Sequence, residues 1–318
     1  MSHEEKDGID RRGALECMIW GGTGVLWTMV AGVPRSSLLG ISEANAQAAR
    51  GFTFLQISDS HIGFKQPANP NPVATLEEAI AKAGTLPQKP AFMIHTGDIT
   101  HLSKPEEFDT ADQVITKANL DTFYVPGEHD IIDENPGQFY LERYGRRTAA
   151  KGNGWYSFDQ NGVHFVGLVN VANLKSGGLG AFGAEQLAWL ADDLKAKTAS
   201  TPIVLFAHIP LWTVSADWGW GTEDSEQALN LVKRFGSVTV LNGHIHHIMQ
   251  KVEGKVTFHT ARSTPFPQPA PGAAPTPGPM RVPEDRLRSV LGITSVAVRQ
   301  GTAPLAITDS ELAKPTNS

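Results

Sequence analysis

The feature that most constrains this chain is an apolar run that stops at a glycine and an acid. From Ala91 through Phe92, Met93 and Ile94 the residues suit a buried strand, and Gly97 and Asp98 end it. A run of this kind belongs inside a parallel sheet covered on both faces, and open α/β sheets gather their ligand sites at the carboxyl ends of such strands. Gly97 lets the backbone turn sharply and keeps bulk away from whatever Asp98 holds. The layout recurs along the chain. Residues 52–58 run into Asp59 and His61, residues 122–125 into Glu128, His129 and Asp130, residues 203–206 into His208, and residues 238–241 into His244 and His246.

Helical patterns separate these strands. Residues 73–84 place Leu76, Ile80 and Ala83 on one face with Gly84 as a stop. Residues 105–118 begin with proline and acids, as a helix N-terminus should. The first half therefore reads β-α-β-α-β with chemistry after every strand. Further on, a short helix is expected at 137–145. Strands at 155–158 and 163–168 flank the hairpin signal Asn161-Gly162. Leu187, Leu190 and Leu194 make 184–197 amphipathic. A helix follows at 226–235, and a hairpin at 251–260 should turn at Glu253 and Gly254. Residues 264–283 hold eight prolines and no apolar periodicity, which predicts an extended, polyproline-like surface strap before strand-like residues resume at 290–298.

Composition narrows the chemistry. Eleven histidines stand against one cysteine, so a metal site here must use imidazole and oxygen ligands. A net charge of −6 argues against a nucleic-acid scaffold or an anionic membrane surface as the main partner. At the N-terminus, Arg11 and Arg12 precede an uncharged stretch from Cys17 to Val33 that falls short of the ~20 strongly apolar residues of a spanning helix. Ala44, Asn45 and Ala46 then form a small-x-small cleavage site. The arrangement resembles a twin-arginine export signal: Arg11, Arg12 and Leu15 match, whereas Asp10, Ala14 and Glu16 depart from it. The expectation is that residues 1–46 are removed and 47–318 form one periplasmic or secreted domain with no cysteine and no membrane span. A retained N-terminal anchor is the alternative.

Collected, the strand-end residues are Asp59, His61, Asp98, Glu128, His129, Asp130, His208, His244 and His246. Burying so many titratable groups together without metal would carry a large desolvation cost. Two-metal sites for phosphoryl hydrolysis hold their ions ~3.5–4 Å apart and need such a set. Side chains two residues apart, as in Asp59 and His61 or His244 and His246, can face the same way. His164 and His259 sit inside strand-like runs and read as structural, and His95 as packed against a neighbour. His101 and His247 adjoin the site and could contact its ligands or a phosphate. Trp218 and Trp220 could stack on a substrate or pack within their own loop.

Taken in order, Asp59-x-His61, Gly97-Asp98-x-x-His101, Gly127-x-His129-Asp130, a lone His208 and Gly243-His244-x-His246 resemble the calcineurin-like metallophosphoesterase superfamily, in its cyclic-nucleotide phosphodiesterase-like branch. The resemblance implies a four-layer α-β-β-α sandwich with a dimetal centre of divalent or trivalent ions (Mn, Fe or Zn) at the strand C-terminal ends. It implies that Asp59, His61, Asp98 and His246 hold one ion, and that Asp98 bridges to a second held by Glu128, His208 and His244. A bridging hydroxide would attack a small phosphomono- or phosphodiester in line. His129 would protonate the leaving group, oriented by Asp130. One residue departs from the pattern: the family has Asn where this chain has Glu128. Two alternatives follow. A purple-acid-phosphatase-like monoesterase is disfavoured by histidines at 61 and 101, since those enzymes place a metal-binding Tyr at the latter position. A metal- or ligand-binding protein impaired at Glu128 is the other. The sequence specifies no oligomeric state.

Overall fold

Alternation along one strand sets the architecture. The computed structural model describes residues 25–30, 33–38, 51–146, 148–299 and 305–313, in two units, 1–50 and 51–318. In the first unit β1 (Val25–Val30) pairs antiparallel with β2 (Val33–Leu38). The twin arginines and the expected cleavage site at Ala44 to Ala46 lie outside the described residues. In the second, β3 (Phe52–Ile57) sends Phe52 and Phe54 into one apolar cluster, and Leu55 and Ile57 into another. A strand buried on both faces must lie between two layers.

The layers are two sheets and their helices. β3, β4 (Met93–His95) and β5 (Thr122–Tyr124) are parallel. The other strands of the second unit are β6 (Tyr156–Gln160), β7 (Val163–Gly167), β8 (Ile203–Phe206), β9 (Val238–Asn242), β10 (Met249–Glu253), β11 (Val256–Thr260), β12 (Gly292–Val298) and β13 (Ala306–Glu311). One sheet has the order β13-β12-β3-β4-β5, the other β10-β11-β9-β8-β7-β6. Helices α1 (Pro72–Ala83) and α2 (Pro105–Ile115) cover the first sheet through Leu76, Ile80 and Phe108. Helices α3 (Ala184–Leu194) and α4 (Ser225–Val232) cover the second through Leu190, Leu194 and Val232. Between the sheets Phe54 stacks on Phe92 at 5.2 Å and meets Phe165 edge-on at 5.3 Å, with Val204, Phe206 and Leu241 around them. This is the expected α-β-β-α sandwich.

The C-terminal part departs from the sequence reading. Residues 284–290, between the expected strap and the strand expected from 290, form a helix, α5 (Glu284–Val290); Pro283 precedes it and Glu284 and Asp285 fill its first turn, which favours a helix start. The strand after it begins at Gly292, and β13 pairs with it unforeseen. The β10–β11 hairpin turns at Gly254 and Lys255, one residue later than expected, since Glu253 pairs with Val256. Residues 264–283 do not run on as extended chain, because Met280 N donates to Pro267 O at 2.8 Å and closes a loop. β11 lies parallel to β9, so the chain after Thr260 emerges at the edge where His244 and His246 stand. Among the described residues no helix is long and apolar enough to cross a membrane.

Candidate metal centre

The strand ends converge through backbone that side chains rarely tolerate. Among the described residues nine non-glycines have positive φ, and five of them are Asp59 (52°), His61 (40°), Asp98 (52°), His244 (70°) and His246 (55°). Each such residue costs about 1–3 kcal/mol, a cost that persists where the surroundings over-determine the conformation. Here they do. Asp59 N donates to Gly97 O and His61 N to Asp98 O, so the β3 and β4 loops curl together. Gly127 lies against Asp98, where a Cβ would land on the carboxylate, and this glycine lets the third loop close in.

Each central carboxylate fastens a loop with one oxygen and faces the cluster. Asp98 Oδ1 accepts from His129 N at 3.0 Å, while Oδ2 stands 3.4 Å from both His61 Nε2 and His208 Nε2. Asp59 Oδ1 accepts from His244 N at 2.9 Å and lies 3.4 Å from His246 Nε2; its Oδ2 is buried with no hydrogen-bond partner among the described residues. Glu128 reaches both flanking rings, with Oε2 3.0 Å from His208 Nε2 and Oε1 3.0 Å from His244 Nδ1. The far nitrogens are fixed as well: His208 Nδ1 faces Thr96 O at 2.7 Å and His246 Nδ1 faces Phe266 O at 2.6 Å, which leaves Nε2 of each ring to the cluster.

Of five overlapping groups of potential ligands among the described residues, two share no residue with each other and leave Asp98 between them. Asp59, His61 and His246 form the first and Glu128, His208 and His244 the second, the ligand atoms of each lying within 4.8 Å of one another. His61 Nε2 and His246 Nε2 face each other at 3.3 Å, and His208 Nε2 and His244 Nδ1 do the same. Each triad sets ring nitrogens and carboxylate oxygens within reach of a single cation, beside a buried Asp59 oxygen with no hydrogen-bond partner among the described residues, and the residues fit two ions. The titration pattern agrees. Burial pushes the Asp59 carboxyl up, but His246, His208 and Ser58 outweigh it and hold it down to about 2. Burial, with His129 and His246 nearby, holds the His61 ring well below its ordinary value, and therefore as a neutral imidazole. His208 resists burial because Asp98 and Glu128 hold its ring well above the ordinary value.

The other expected residues divide. His129 stands at the rim, its ring 4.8 Å from His61 and stacked on His101 at 4.9 Å. Burial would lower its titration, but Asp98 and Glu128 raise it. Asp130 does not orient that ring, contrary to expectation: Nδ1 of His129 faces the His101 carbonyl oxygen at 2.8 Å. Fully buried Asp130 instead accepts from the amides of Ile99, Thr100 and Gly127, tying the β4 loop to the β5 loop. Burial and the Asp98 charge push its carboxyl up to about 7. His101 lines the cavity beside His61, whereas His247 packs near Trp220 outside the lining. His95 is buried against Ser60 Oγ at 2.8 Å, and His164 and His259 serve the sheets through Asp159, Asp193 and Asp309. Trp220 is buried and carries Trp218 edge-on at 5.0 Å, so the loop packs on itself and still presents Trp218 to the cavity.

Sequence reasoning missed the proline-rich loop. Its Phe266 stacks on His61 at 5.1 Å, Gln268 Nε2 donates to His244 O at 2.8 Å, and Pro277, Gly278 and Pro279 line the same cavity of about 380 Å³. No periodicity marked these residues; the only signal was that they follow a strand whose parallel pairing delivers them there.

Comparison with known proteins gives a consistent picture. Residues 52–247 match the family described as calcineurin-like phosphoesterase. The chain is 24% identical over 215 residues to a 3′,5′-cyclic-nucleotide phosphodiesterase of Nostoc sp., covering 66% of this chain and 77% of that protein. It is 25% identical over 227 residues to a probable glycerophosphodiester phosphodiesterase of Arcobacter nitrofigilis, with the same coverages. Among solved structures, a dimetal phosphatase from Danio rerio superposes with a TM-score of 0.61 at 14% identity, covering 83% of this chain and 98% of that one.

Proposed function

The chain belongs to the calcineurin-like phosphoesterase family and is a metal-dependent phosphoric ester hydrolase, and we propose that it acts on phosphodiesters. The pair of ligand triads flanking Asp98 is the observation that carries the reading. Asp59, His61 and His246 would hold one ion, Glu128, His208 and His244 the other, with Asp98 between them. When bound, the ions bring water to a nucleophilic state at neutral pH and neutralise charge on the phosphoryl group. The protein's own part is positional and acid–base. His129, its titration raised by Asp98 and Glu128 and its Nδ1 held at the His101 carbonyl, is placed to donate its Nε2 proton to the leaving oxygen. Asp130 holds the two loops that carry Asp98 and His129 in register.

Glu128 supports the choice of a diester. Glu128 adds a third carboxylate to Asp59 and Asp98 and so lowers the charge of the centre, which suits a monoanionic diester better than a dianionic monoester. Mn²⁺, Fe or Zn are all compatible with this oxygen–imidazole set. The N-terminal twin arginines and small-x-small site support export to the periplasm, which sequencing of the mature N-terminus tests; an intact Met1 on exported protein would refute cleavage.

The test of the activity is direct. Protein loaded with Mn²⁺ should hydrolyse bis(p-nitrophenyl) phosphate faster than p-nitrophenyl phosphate, and Glu128→Asn should narrow that ratio by about tenfold as the centre gains a charge. No turnover of either ester by fully metallated protein would favour a binding protein instead.

A further inference from the structure

The cavity above the triads has two prefabricated walls. One is the hairpin from Val214 to Trp220, closed by Val214 N to Trp220 O at 2.7 Å and Trp220 N to Ser215 O at 2.9 Å. Trp218 sits in its 3₁₀ turn, braced edge-on by buried Trp220. A neighbouring loop supports the hairpin: Gly180 N donates to Gly221 O, Glu223 N donates to Gly180 O, and Gly219 packs so closely on Gly177 and Gly178 that a Cβ there would collide.

The other wall is the proline-rich loop. It is shut at its base by Met280 N to Pro267 O and clamped inside by Gln268, whose Oε1 accepts from Gly278 N at 3.1 Å. The same Gln268 donates to His244 O, and the Phe266 carbonyl receives His246 Nδ1, so this wall is bolted to one histidine of each triad. Between the walls the lining includes indole, proline ring, the half-exposed Leu174 and the amides of Gln66 and Gln268, and among the described residues no lysine or arginine lines the cavity. Beyond the imidazoles of the triads, of His101 and of His129, a second phosphate or a carboxylate on the substrate would find no counter-charge among the described residues, whereas a flat uncharged ring would find an indole and proline rings to lie against.

We propose that the cleft between Trp218 and Pro277–Pro279 is a subsite for a planar aromatic substituent of the phosphate ester. The inference rests on the phosphodiesterase reading for the position of the phosphate. It adds the chemical class of the group attached to it, an aryl ring or a nucleobase. The rigidity of both walls makes the subsite preformed, so the ring is selected by fit and not by closure of a loop.

Equilibrium binding tests this independently of turnover. Diphenyl phosphate and dimethyl phosphate carry the same charge and the same phosphate, so calorimetric titration of the Mn²⁺-loaded protein isolates the ring. Diphenyl phosphate should bind about tenfold tighter or better, Trp218→Ala should cut the preference to about twofold, and Trp218→Phe should restore most of it. Dimethyl phosphate affinity and metal content should be unchanged in both variants, which also shows that they remain folded. Thymidine 5′-methylphosphate binding as tightly as diphenyl phosphate would assign the cleft to nucleobases; binding like dimethyl phosphate would assign it to simple aryl rings. Equal affinities for the diphenyl and dimethyl esters in the wild-type protein would overturn the subsite even if diesters are hydrolysed. A clear preference without any hydrolysis would uphold it and sink the catalytic reading instead.

Discussion

Two regions of this molecule are equally buried and opposite in character. Between the sheets Phe54, Phe92 and Phe165 have almost no exposure and pack ring on ring. At the ends of the same strands Asp59, Asp98, His208 and His246 are just as hidden, yet they crowd carboxylates and ring nitrogens together, all but His208 from left-handed backbone. The first region stabilises the fold and the second is held together by it. Burial alone therefore says nothing about which residues support the structure and which are supported.

The sharpest way to break that contrast is to damage the interior. Phe54→Ala should cost about 3–5 kcal/mol, because it removes a ring from an aromatic cluster that cannot collapse around the gap. Denaturant unfolding of the metal-free protein reads it, and a loss below about 1 kcal/mol would mean that the sheets are not held by this cluster. The rim should respond in the opposite sense. Asp98→Asn keeps an oxygen for the His129 amide while removing one of the mutually repelling carboxylates. Metal-free stability should stay within about 1 kcal/mol of wild type or rise, while kcat/KM falls by roughly 10³. A metal-free Asp98→Asn protein that unfolds readily would erase the distinction between the two regions.

The same distinction explains what could be read from the sequence. The interior was legible through alternation and apolar runs, and the rim through acids and histidines placed just past them, because both signals are local. Asp130 was misread because its partners are backbone amides of Ile99, Thr100 and Gly127, and an amide leaves no mark on residue type. The proline-rich wall was missed for a different reason. Its place over His244 depends on β11 lying parallel to β9, a long-range pairing that the hairpin signal at 251–260 leaves open. Helix α5 had a usable start in Glu284 and Asp285, but seven residues are too few for periodicity to show.

The smallest effect is expected where the sheets meet at their edge, in a group that is charged like the rim but serves stability like the interior. Asp309 on β13 accepts from Thr294 Oγ1 at 2.7 Å and lies 3.1 Å from Nε2 of His259, which belongs to β11 in the opposite sheet. Burial raises its carboxyl, but the His259 hydrogen bond and charge, with Thr294 and Arg262, outweigh it, so its titration is lowered. A depressed carboxyl stabilises the fold fully above its unfolded value of about 3.9, and that stabilisation is lost as pH falls through the lower folded value. Asp309→Asn should therefore cost about 1 kcal/mol at neutral pH, and the gap to wild type should close towards about pH 3. Urea midpoints of the metal-free proteins at both pH values read it. A gap that persists in acid would show that the latch works through hydrogen-bond shape and not through charge, and would place it with the interior after all.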